Sequence, residues 1–182
     1  MGREPELADA LAEVLIDCVE GGASVGFMAP LTRARATAFW SGVIDSAARG
    51  ERVLLVAEDA QGRIHGTVQV TLSKPENQPH RGEVTKMLVH RRARRRGLGE
   101  ALMRAAEAAA QAAGRTLLIL DTVTGADGER LYSRLGWQRL GVIPGYALWP
   151  HGGLCATTYF YKALPGQRHV AGPSTIMPGA AL

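Results

Sequence analysis

Cysteine is scarce in this sequence, and its two cysteines, Cys18 and Cys155, stand far apart without Cys-x-x-Cys spacing. Two widely separated cysteines argue against a disulfide framework or a zinc site, so we expect the protein to work in the reducing cytoplasm. The five histidines lack metal-ligand spacing such as His-Glu-x-x-His, and we expect no bound metal. No apolar run approaches the roughly 18 residues of a membrane span, and the polar start lacks a signal-sequence pattern. We therefore expect no membrane partner.

Acidic and basic residues are nearly balanced, since 21 Lys and Arg against 17 Asp and Glu give a net charge of +4. The excess is local, because every residue from 91 to 96 except Ala93 is arginine. A cationic run on a near-neutral body indicates one anionic ligand site and argues against a surface that tracks a nucleic-acid backbone. Two other interpretations of the run stay open: a nucleic-acid or nuclear-localisation patch, and a solvated face.

Hydrophobic periodicity divides the chain into helices and strands. It predicts helices over 5–19, from Pro30 to about 48, over 97–113 and over 126–135. Strands are predicted over 52–58, 63–72, 82–89, 116–122, 137–143 and 157–162. Residues 1–164 are enough for one domain, and the Pro-, Gly-, Ala- and Ser-rich stretch 165–182 is predicted to be a flexible tail. This order is typical of an α/β sandwich with one central sheet.

The segment from Glu83 to Glu100 contains the clearest chemical signal. A predicted strand leads into the arginine run, which leads into a helix whose first turn contains Gly97 and Gly99. Helix amino termini bind phosphate through unpaired N–H groups and the helix dipole, and glycine lets an anion approach the backbone. A dinucleotide fold would need Gly-x-Gly-x-x-Gly and a triphosphate loop Gly-Lys-Ser/Thr, and neither is present. The glycines could also be simple helix-start residues.

Two motifs together resemble a known family. The stretch Met87-Leu88-Val89-His90 through Arg94-x-x-Gly97-x-Gly99 resembles the pyrophosphate-binding motif of the GNAT acetyltransferases, and Leu131-Tyr132-Ser133-Arg134-Leu135-Gly136-Trp137 resembles their second common motif. The resemblance is closer to the tabtoxin resistance members, which acetylate a β-lactam antimetabolite, and covers roughly residues 10–164. The segments 21–28, 120–122 and 144–146 carry this closer resemblance. It implies a GNAT fold, with a mixed, mostly antiparallel sheet splayed between two strands and helices on both faces.

The resemblance also implies roles for individual residues. It implies acetyl-CoA as the cofactor and a small-molecule amine as the acceptor. Backbone groups of Met87, Leu88 and Val89 would face the acetyl and pantetheine portions. The pyrophosphate would be wrapped by a cationic, glycine-rich segment: Arg94, Arg95, Arg96, Gly97, Leu98, Gly99 and Glu100. Glu83, Asp121 and Tyr132 match positions proposed as catalytic.

Direct acetyl transfer needs such residue types independently. An amine with a pKa near 10 is almost fully protonated at neutral pH, and a carboxylate such as Glu83 or Asp121 can accept its proton. A backbone N–H near Leu88 could stabilise the oxyanion, and the Tyr132 phenol could protonate the departing thiolate. Ordinary alternatives are core packing for Tyr132, a turn cap for Asp121 and a surface pair with Arg81 for Glu83.

Several functional alternatives stay open. A toxin or antibiotic with an amino or hydroxyl group is the expected acceptor by resemblance, and a protein amine is the alternative substrate. A non-catalytic module that senses coenzyme A would need the glycine motif but not the three catalytic candidates together. Assembly of the protein into a homodimer is a further alternative that stays open. The sequence departs from the family in its short stretch before the first helix and in Gly125, where many members have Asn.

Overall fold

The computed structural model describes residues 4–165, so the predicted tail 165–182 lies outside the described residues apart from Pro165. Within this range the helices are α1 (Glu4–Glu20), α2 (Arg33–Ala48), α3 (Leu98–Ala112) and α4 (Asp127–Arg134). The strands are β1 (Arg52–Glu58), β2 (Ile64–Leu72), β3 (Arg81–Val89), β4 (Leu117–Val123), β5 (Gln138–Leu148) and β6 (Leu154–Ala163). None of these helices is long and apolar enough to cross a membrane.

One sheet contains all six of these strands, in the order β1-β2-β3-β4-β6-β5. Every neighbouring pair is antiparallel except β3 and β4, which run parallel. These two strands pair only from Arg81 opposite Leu117 to Glu83 opposite Ile119, and beyond that point they separate. The predicted fold class, a mixed and mostly antiparallel sheet splayed between two strands, is confirmed.

Helices cover both faces of the sheet, because side chains along a strand alternate between its two faces. In β1, Val53 and Leu55 pack into the core beneath α3, whereas Leu54 packs into the core beneath α1 and α2. Trp40 and Phe160, each fully buried, are among the largest side chains of the two cores. The two packed faces hold the separating ends of β3 and β4 in place.

The start of α2 differs from the prediction, which placed it at Pro30. The helix begins at Arg33, and the Thr32 side chain accepts a hydrogen bond from the Arg35 backbone N–H at 3.3 Å. A threonine oxygen in this position satisfies one of the free N–H groups of the first turn, and it therefore sets the start of the helix. Periodicity alone does not reveal this cap.

The last two strands are longer than predicted. β5 continues past Ile143, where the predicted strand ends, through Pro144 and Gly145, and β6 begins at Leu154 instead of residue 157. Its register with β6 shifts between Ile143 and Ala147, and Gly145 has a φ of 62°. Proline is tolerated at such an irregularity on an edge strand because no ladder hydrogen bond is needed there. The irregular segment carries Tyr146 to the site described next.

Candidate active site

The separation of β3 from β4 opens a cavity of about 700 Å³. Its walls come from both separating strands, from the starts of α3 and α4, from the segment 21–26 and from the β5–β6 hairpin. Because the strands part, no ladder hydrogen bonds close this gap between residues 84–89 and 120–123. The fold therefore places one continuous cleft across the middle of the sheet.

A bulge in β3 shapes the wall of this cavity. The register with β2 passes from Thr85 opposite Gln69 to Leu88 opposite Thr67, so two residues of β3 face Val68. Lys86 has a φ of 50° at this point, a conformation that non-glycine residues rarely adopt. Bulges turn a strand and redirect its side chains. All three residues of the predicted segment 87–89 line the cavity directly after the bulge.

The start of α3 presents unpaired backbone donors to the same cavity. Gly97, with a φ of 77°, is the cap residue, and no side chain caps the helix. The first helical N–H groups have no partner within the helix, so they form a cationic site that suits a phosphate group. A side chain added at Gly97 would meet no atom within 4 Å, so the space in front of these donors is open.

Gly99 is closely surrounded by neighbouring side chains. A Cβ there would lie 3.2 Å from Leu131 and 3.8 Å from the sulfur of Met87. The missing side chain thus allows α3 to pack closely against α4 and β3. Leu98, Gly99 and Glu100 all line the cavity. Of the two glycines, Gly97 faces open space, whereas Gly99 makes room for its neighbours.

The arginine run is divided between structural and cavity-facing roles. Arg91 contacts Asp17 with its backbone N–H at 2.8 Å and its side chain at 2.9 Å, and Arg92 pairs with Glu13. Arg94 donates to the Val89 carbonyl at 3.0 Å. Much of the cationic charge is therefore neutralised by α1.

Three arginines of this run were predicted to bind the cofactor, and two of them reach the cavity. Arg94 and Arg95 line it, and the exposed Arg95 side chain lies 3.6 Å from Asp127. Arg96 is exposed and does not form part of the cavity wall. Arg95 therefore provides the exposed guanidinium at this edge of the cleft.

The three predicted catalytic residues occupy different positions. Asp121 and Tyr132 line the cavity, and Asp121 accepts a hydrogen bond from the Thr157 hydroxyl at 2.8 Å. Glu83 lies at the last paired position of β3 and β4, where it is exposed and outside the cavity wall. The structure thus brings Asp121 and Tyr132 to one cavity and leaves Glu83 beside its closed end.

The Tyr132 phenol is buried but has an unused hydroxyl group. Its ring is 6% exposed and packs 6.0 Å from the Phe160 ring and 6.2 Å from Trp137. Within the described residues, its hydroxyl makes no hydrogen bond. Burial, followed by the negative charge of Asp121, raises the pKa of Tyr132, so the phenol remains a proton donor at neutral pH.

Residues 21–26 of the glycine-rich segment 21–28 form another wall of the cavity. The Ser24 hydroxyl donates to the Leu148 carbonyl at 2.8 Å, and the Ala29 N–H donates to the Pro150 carbonyl at 2.9 Å. These bonds tie the segment to the β5–β6 hairpin. The hairpin contributes Tyr146 and Trp149, which are both half exposed and line the cavity.

Sequence reasoning missed one cavity-lining residue, Lys86, and one residue beside the cavity, Tyr159. Lys86 interrupts an apolar strand, a signal that could have marked it as unusual. Tyr159 faces Asp121 across the β4–β6 ladder, and its hydroxyl lies 2.8 Å from that of Tyr146. This hydrogen bond, then burial, raises the pKa of Tyr159 to about 12. Only the strand pairing brings Tyr159 to the site.

Comparisons with known proteins agree with this geometry. An acetyltransferase (GNAT) domain model matches residues 49–139, which is half of the chain. A GNAT superfamily phosphinothricin acetyltransferase from Sinorhizobium meliloti, in complex with AcCoA, has a TM-score of 0.74 at 18% identity, covering 96% of this chain and 92% of that one. The yncA protein of Salmonella typhimurium, with its cofactor acetyl-CoA, has a TM-score of 0.74 at 18% identity, covering 94% and 95%.

A third structure has a name that points to a protein acceptor. The ribosomal-protein-alanine N-acetyltransferase from Brucella melitensis has a TM-score of 0.73 at 20% identity, with 88% of this chain and 96% of that chain covered. At such identities the likeness establishes a shared fold, and the finer resemblance to tabtoxin resistance enzymes stays a prediction. The domain match establishes the family: this chain belongs to the GNAT acetyltransferases, acyltransferases that use acetyl-CoA.

Proposed function

We propose that this enzyme transfers acetyl from acetyl-CoA directly to an amine of a small molecule. One observation carries the proposal. A single cavity connects the uncapped start of α3 with the Asp121 carboxylate and the unpaired Tyr132 hydroxyl. An anion-binding end and a proton-transfer end thus share one cleft, which is the arrangement that this reaction requires.

The cofactor end fits coenzyme A by the chemistry of its groups. The free N–H groups at residues 98–100 suit a pyrophosphate, and the open space at Gly97 leaves them accessible. Arg94 and Arg95 add positive charge, and the separated edge of β3 at 87–89 suits an extended pantetheine arm. We assign Arg96 to the binding of a solvent-exposed phosphate group of coenzyme A. When bound, acetyl-CoA supplies an acetyl group activated as a thioester.

The acceptor end fits the removal of a proton from an ammonium group. Removing the proton from an ammonium group with a pKa near 10 costs about 4 kcal/mol at neutral pH, so a nearby base accelerates the reaction. Asp121 is our first candidate, because its carboxylate lines the cavity and keeps one oxygen free of the Thr157 bond. Glu83 we assign as a second acceptor of the proton, reached from the closed end of the cleft.

The Tyr132 hydroxyl is our candidate for the general acid. It has no hydrogen-bond partner in the part of the chain that the structure describes, so it is available to donate, and its raised pKa keeps the proton on the phenol. A positioned acid of this kind typically contributes about 10²–10⁴-fold to a rate. No nucleophilic residue of the enzyme is required for this direct transfer.

A small molecule is favoured as acceptor because the cavity is walled on several sides. The hydrogen bond from Ser24 to Leu148 holds the segment 21–28 against the β5–β6 hairpin beside the cavity. The half-exposed aromatic rings of Tyr146 and Trp149 lie on the hairpin side. The name of the Sinorhizobium meliloti enzyme indicates a small acceptor, which supports a toxin or antibiotic as the substrate class. A protein amine is the second candidate, favoured by the name of the Brucella melitensis enzyme.

We also infer a cytoplasmic location and a homodimer. Cys18 and Cys155 are both free thiols, as expected in a reducing compartment. The edge strand β5 and its hairpin expose several large apolar side chains, which a second copy could cover: Leu140, Val142, Ile143, Leu148 and Leu154. Sedimentation at several concentrations, compared between wild type and Leu140→Glu, tests the second inference.

Thiol release from acetyl-CoA tests the proposed function directly. The acceptor panel consists of amino-containing β-lactam analogues, aminoglycosides and basic peptides, with the acetylated product identified by mass. Asp121→Asn should lower turnover by about 10²-fold or more, as expected when a general base is lost. Asp45→Asn, on an exposed position of α2, serves as the matched control. Tight binding of acetyl-CoA without turnover of any amine would instead identify a coenzyme A sensor.

A further inference from the structure

Within residues 4–165, one lysine of the cavity, Lys86, has no anionic partner. Lys86 lines the cavity, and its ammonium nitrogen lies 3.8 Å from the position of a Cβ at Gly26, in the cavity wall formed by residues 21–26. The same nitrogen lies 5.7 Å from the centre of the Phe39 ring. No carboxylate of the described residues comes within ion-pair distance of it.

This placement is unfavourable for the protein alone. Burial lowers the pKa of Lys86, while Asp121 and more weakly Glu83 act to raise it and Arg52 lowers it further. Lysines normally extend their charge into water, and a half-buried ammonium without a hydrogen bond loses hydration free energy. The backbone at Lys86 also adopts its rare positive φ. Such costs persist where a ligand makes use of the group.

The acceptor end of the cavity has both negative and positive side chains. Asp121 supplies a negative group that suits an ammonium, and Glu83 adds a second one nearby. Lys86 supplies a positive group on the same strand as Glu83, beside Gly26 in the cavity wall. A molecule that carries both an amine and an anionic group would pair with both signs at once.

We propose that Lys86 binds an anionic group of the acceptor, so that the preferred substrate is zwitterionic, with an amine and a carboxylate or a similar anion on one small molecule. This inference rests on the proposed function and narrows its substrate class. A polycationic aminoglycoside or a basic peptide would place positive charge against Lys86, so both are disfavoured. A role in packing against Phe39 alone would not require the charge of Lys86.

Matched acceptor pairs test the charge of the substrate. Each pair is an L-α-amino acid and its α-carboxamide, which have nearly the same shape and differ in the anionic group. The measured quantity is the ratio of kcat/KM for acid over amide, determined by thiol release across the panel. Because the amide also has the more easily deprotonated amine, the ratio is compared between enzyme variants at one pH.

Lys86→Met keeps the length of the side chain and removes its charge. The acid-over-amide ratio should fall by about tenfold to a hundredfold, the usual size of a charge-assisted hydrogen bond. Lys86→Arg should retain most of the preference. Lys74→Met, which removes an exposed lysine outside the cavity, should leave the ratio at the wild-type value. Acetyl-CoA affinity and thermal unfolding are measured for every variant, so that a folding defect is recognised.

Two results would overturn the inference while the proposed function stands. One is an unchanged ratio in a folded Lys86→Met enzyme that binds acetyl-CoA. The other is turnover of amines without an anion, together with no turnover of any acid in the panel. Failure of acetyl-CoA to bind, or no turnover of any amine in either panel, would instead remove the proposed function and this inference together.

Discussion

The hydroxyl of Tyr132 is the group whose removal best separates chemistry from folding. It makes no hydrogen bond within the described residues, so Tyr132→Phe removes no bond that stabilises the fold. We expect the free energy of unfolding to change by less than about 0.5 kcal/mol. If the phenol is the general acid, kcat should fall by at least about tenfold, and up to 10⁴-fold. Chemical denaturation and thiol release at saturating substrate measure the two effects.

Tyr161→Phe is the matched control for that substitution. Tyr161 lies in β6, and its hydroxyl donates to Gln138 outside the cavity. Its loss should leave kcat at the wild-type value. An unchanged kcat in Tyr132→Phe would show that the general-acid role belongs to another group or to water.

Gly97 allows a second test, because a glycine with the same backbone conformation lies at the other end of α3. Gly97 and Gly114 both have a φ of 77°, and a Cβ at either would meet no atom within 4 Å. Alanine at either position should cost about 1 kcal/mol of unfolding free energy through the left-handed conformation. Only Gly97→Ala places a methyl group before the free N–H donors of the helix start.

We therefore expect Gly97→Ala to weaken acetyl-CoA binding by about tenfold, the equivalent of one hydrogen bond to a charged group. Gly114→Ala should bind with wild-type affinity. Calorimetric titration with acetyl-CoA gives both values. Equal affinities in the two variants would mean that the pyrophosphate does not lie over the start of α3.

Helix α1 and the arginine run are joined by an ionic contact that the sequence did not reveal. Asp17 accepts hydrogen bonds from both the backbone and the side chain of Arg91, and its side chain is only 12% exposed. We expect Asp17→Asn to lower the free energy of unfolding by about 1–3 kcal/mol, because a half-buried charged bond is lost. Asp9 lies on the same helix as Asp17 and forms an exposed ion pair with Arg33 of α2, so Asp9→Asn should cost about 0–1 kcal/mol.

The Asp17 contact also predicts a pH dependence. Burial raises the pKa of Asp17, but the hydrogen bonds from Arg91 and the charge of His90 outweigh it, so the pKa is lowered in the folded state. The stabilisation is therefore complete above the ordinary aspartate pKa of about 3.9 and is lost as the pH falls through the lower folded value. Urea denaturation should therefore give wild type and Asp17→Asn the same free energy of unfolding at pH values below the folded pKa of Asp17. A constant difference down to pH 2 would contradict this assignment.

Local sequence patterns predicted most helices and strands. They failed where a contact with a residue distant in sequence determines the structure. The periodicity of α1 and the β-branched run of β1 predict those elements closely. By contrast, β5 passes through Pro144 only because the β6 partner tolerates an irregular register there. Likewise, Arg91 and Arg92 were assigned to a cationic patch because the sequence does not show which acids of α1 meet them.

Across the sheet, the separation of β3 from β4 determines what could be predicted about the site. The motif at residues 87–99 indicated the anion-binding end, because a strand, a loop and a glycine helix start are contiguous in sequence. The acceptor end combines Lys86, Asp121 and Thr157 from three strands, and only the pairing order brings them together. Sequence patterns describe neighbours along the chain, whereas this end of the site depends on neighbours across the sheet.

The two halves of the sheet, β1–β3 and β4–β6, are joined by a short parallel contact, so a ligand in the cleft should couple them. Acetyl-CoA at about 100 times its Kd should add about 2.7 kcal/mol to the free energy of unfolding. We expect this binding to slow backbone hydrogen exchange on both sides of the cleft, at residues 84–89 and at 120–123. Exchange is followed by mass spectrometry on short peptides from each strand.

Adenosine 3′,5′-diphosphate, which lacks the pantetheine arm, separates the two effects. It should bind at the start of α3 and protect residues 94–100, because the free N–H donors and Arg95 lie there. It should leave 120–123 as exposed to exchange as in the free protein, since nothing in it reaches β4. Equal protection of β4 by both ligands would mean that closure of the sheet follows phosphate binding alone. Protection limited to α3 with acetyl-CoA would mean that the arm does not enter the gap between the strands.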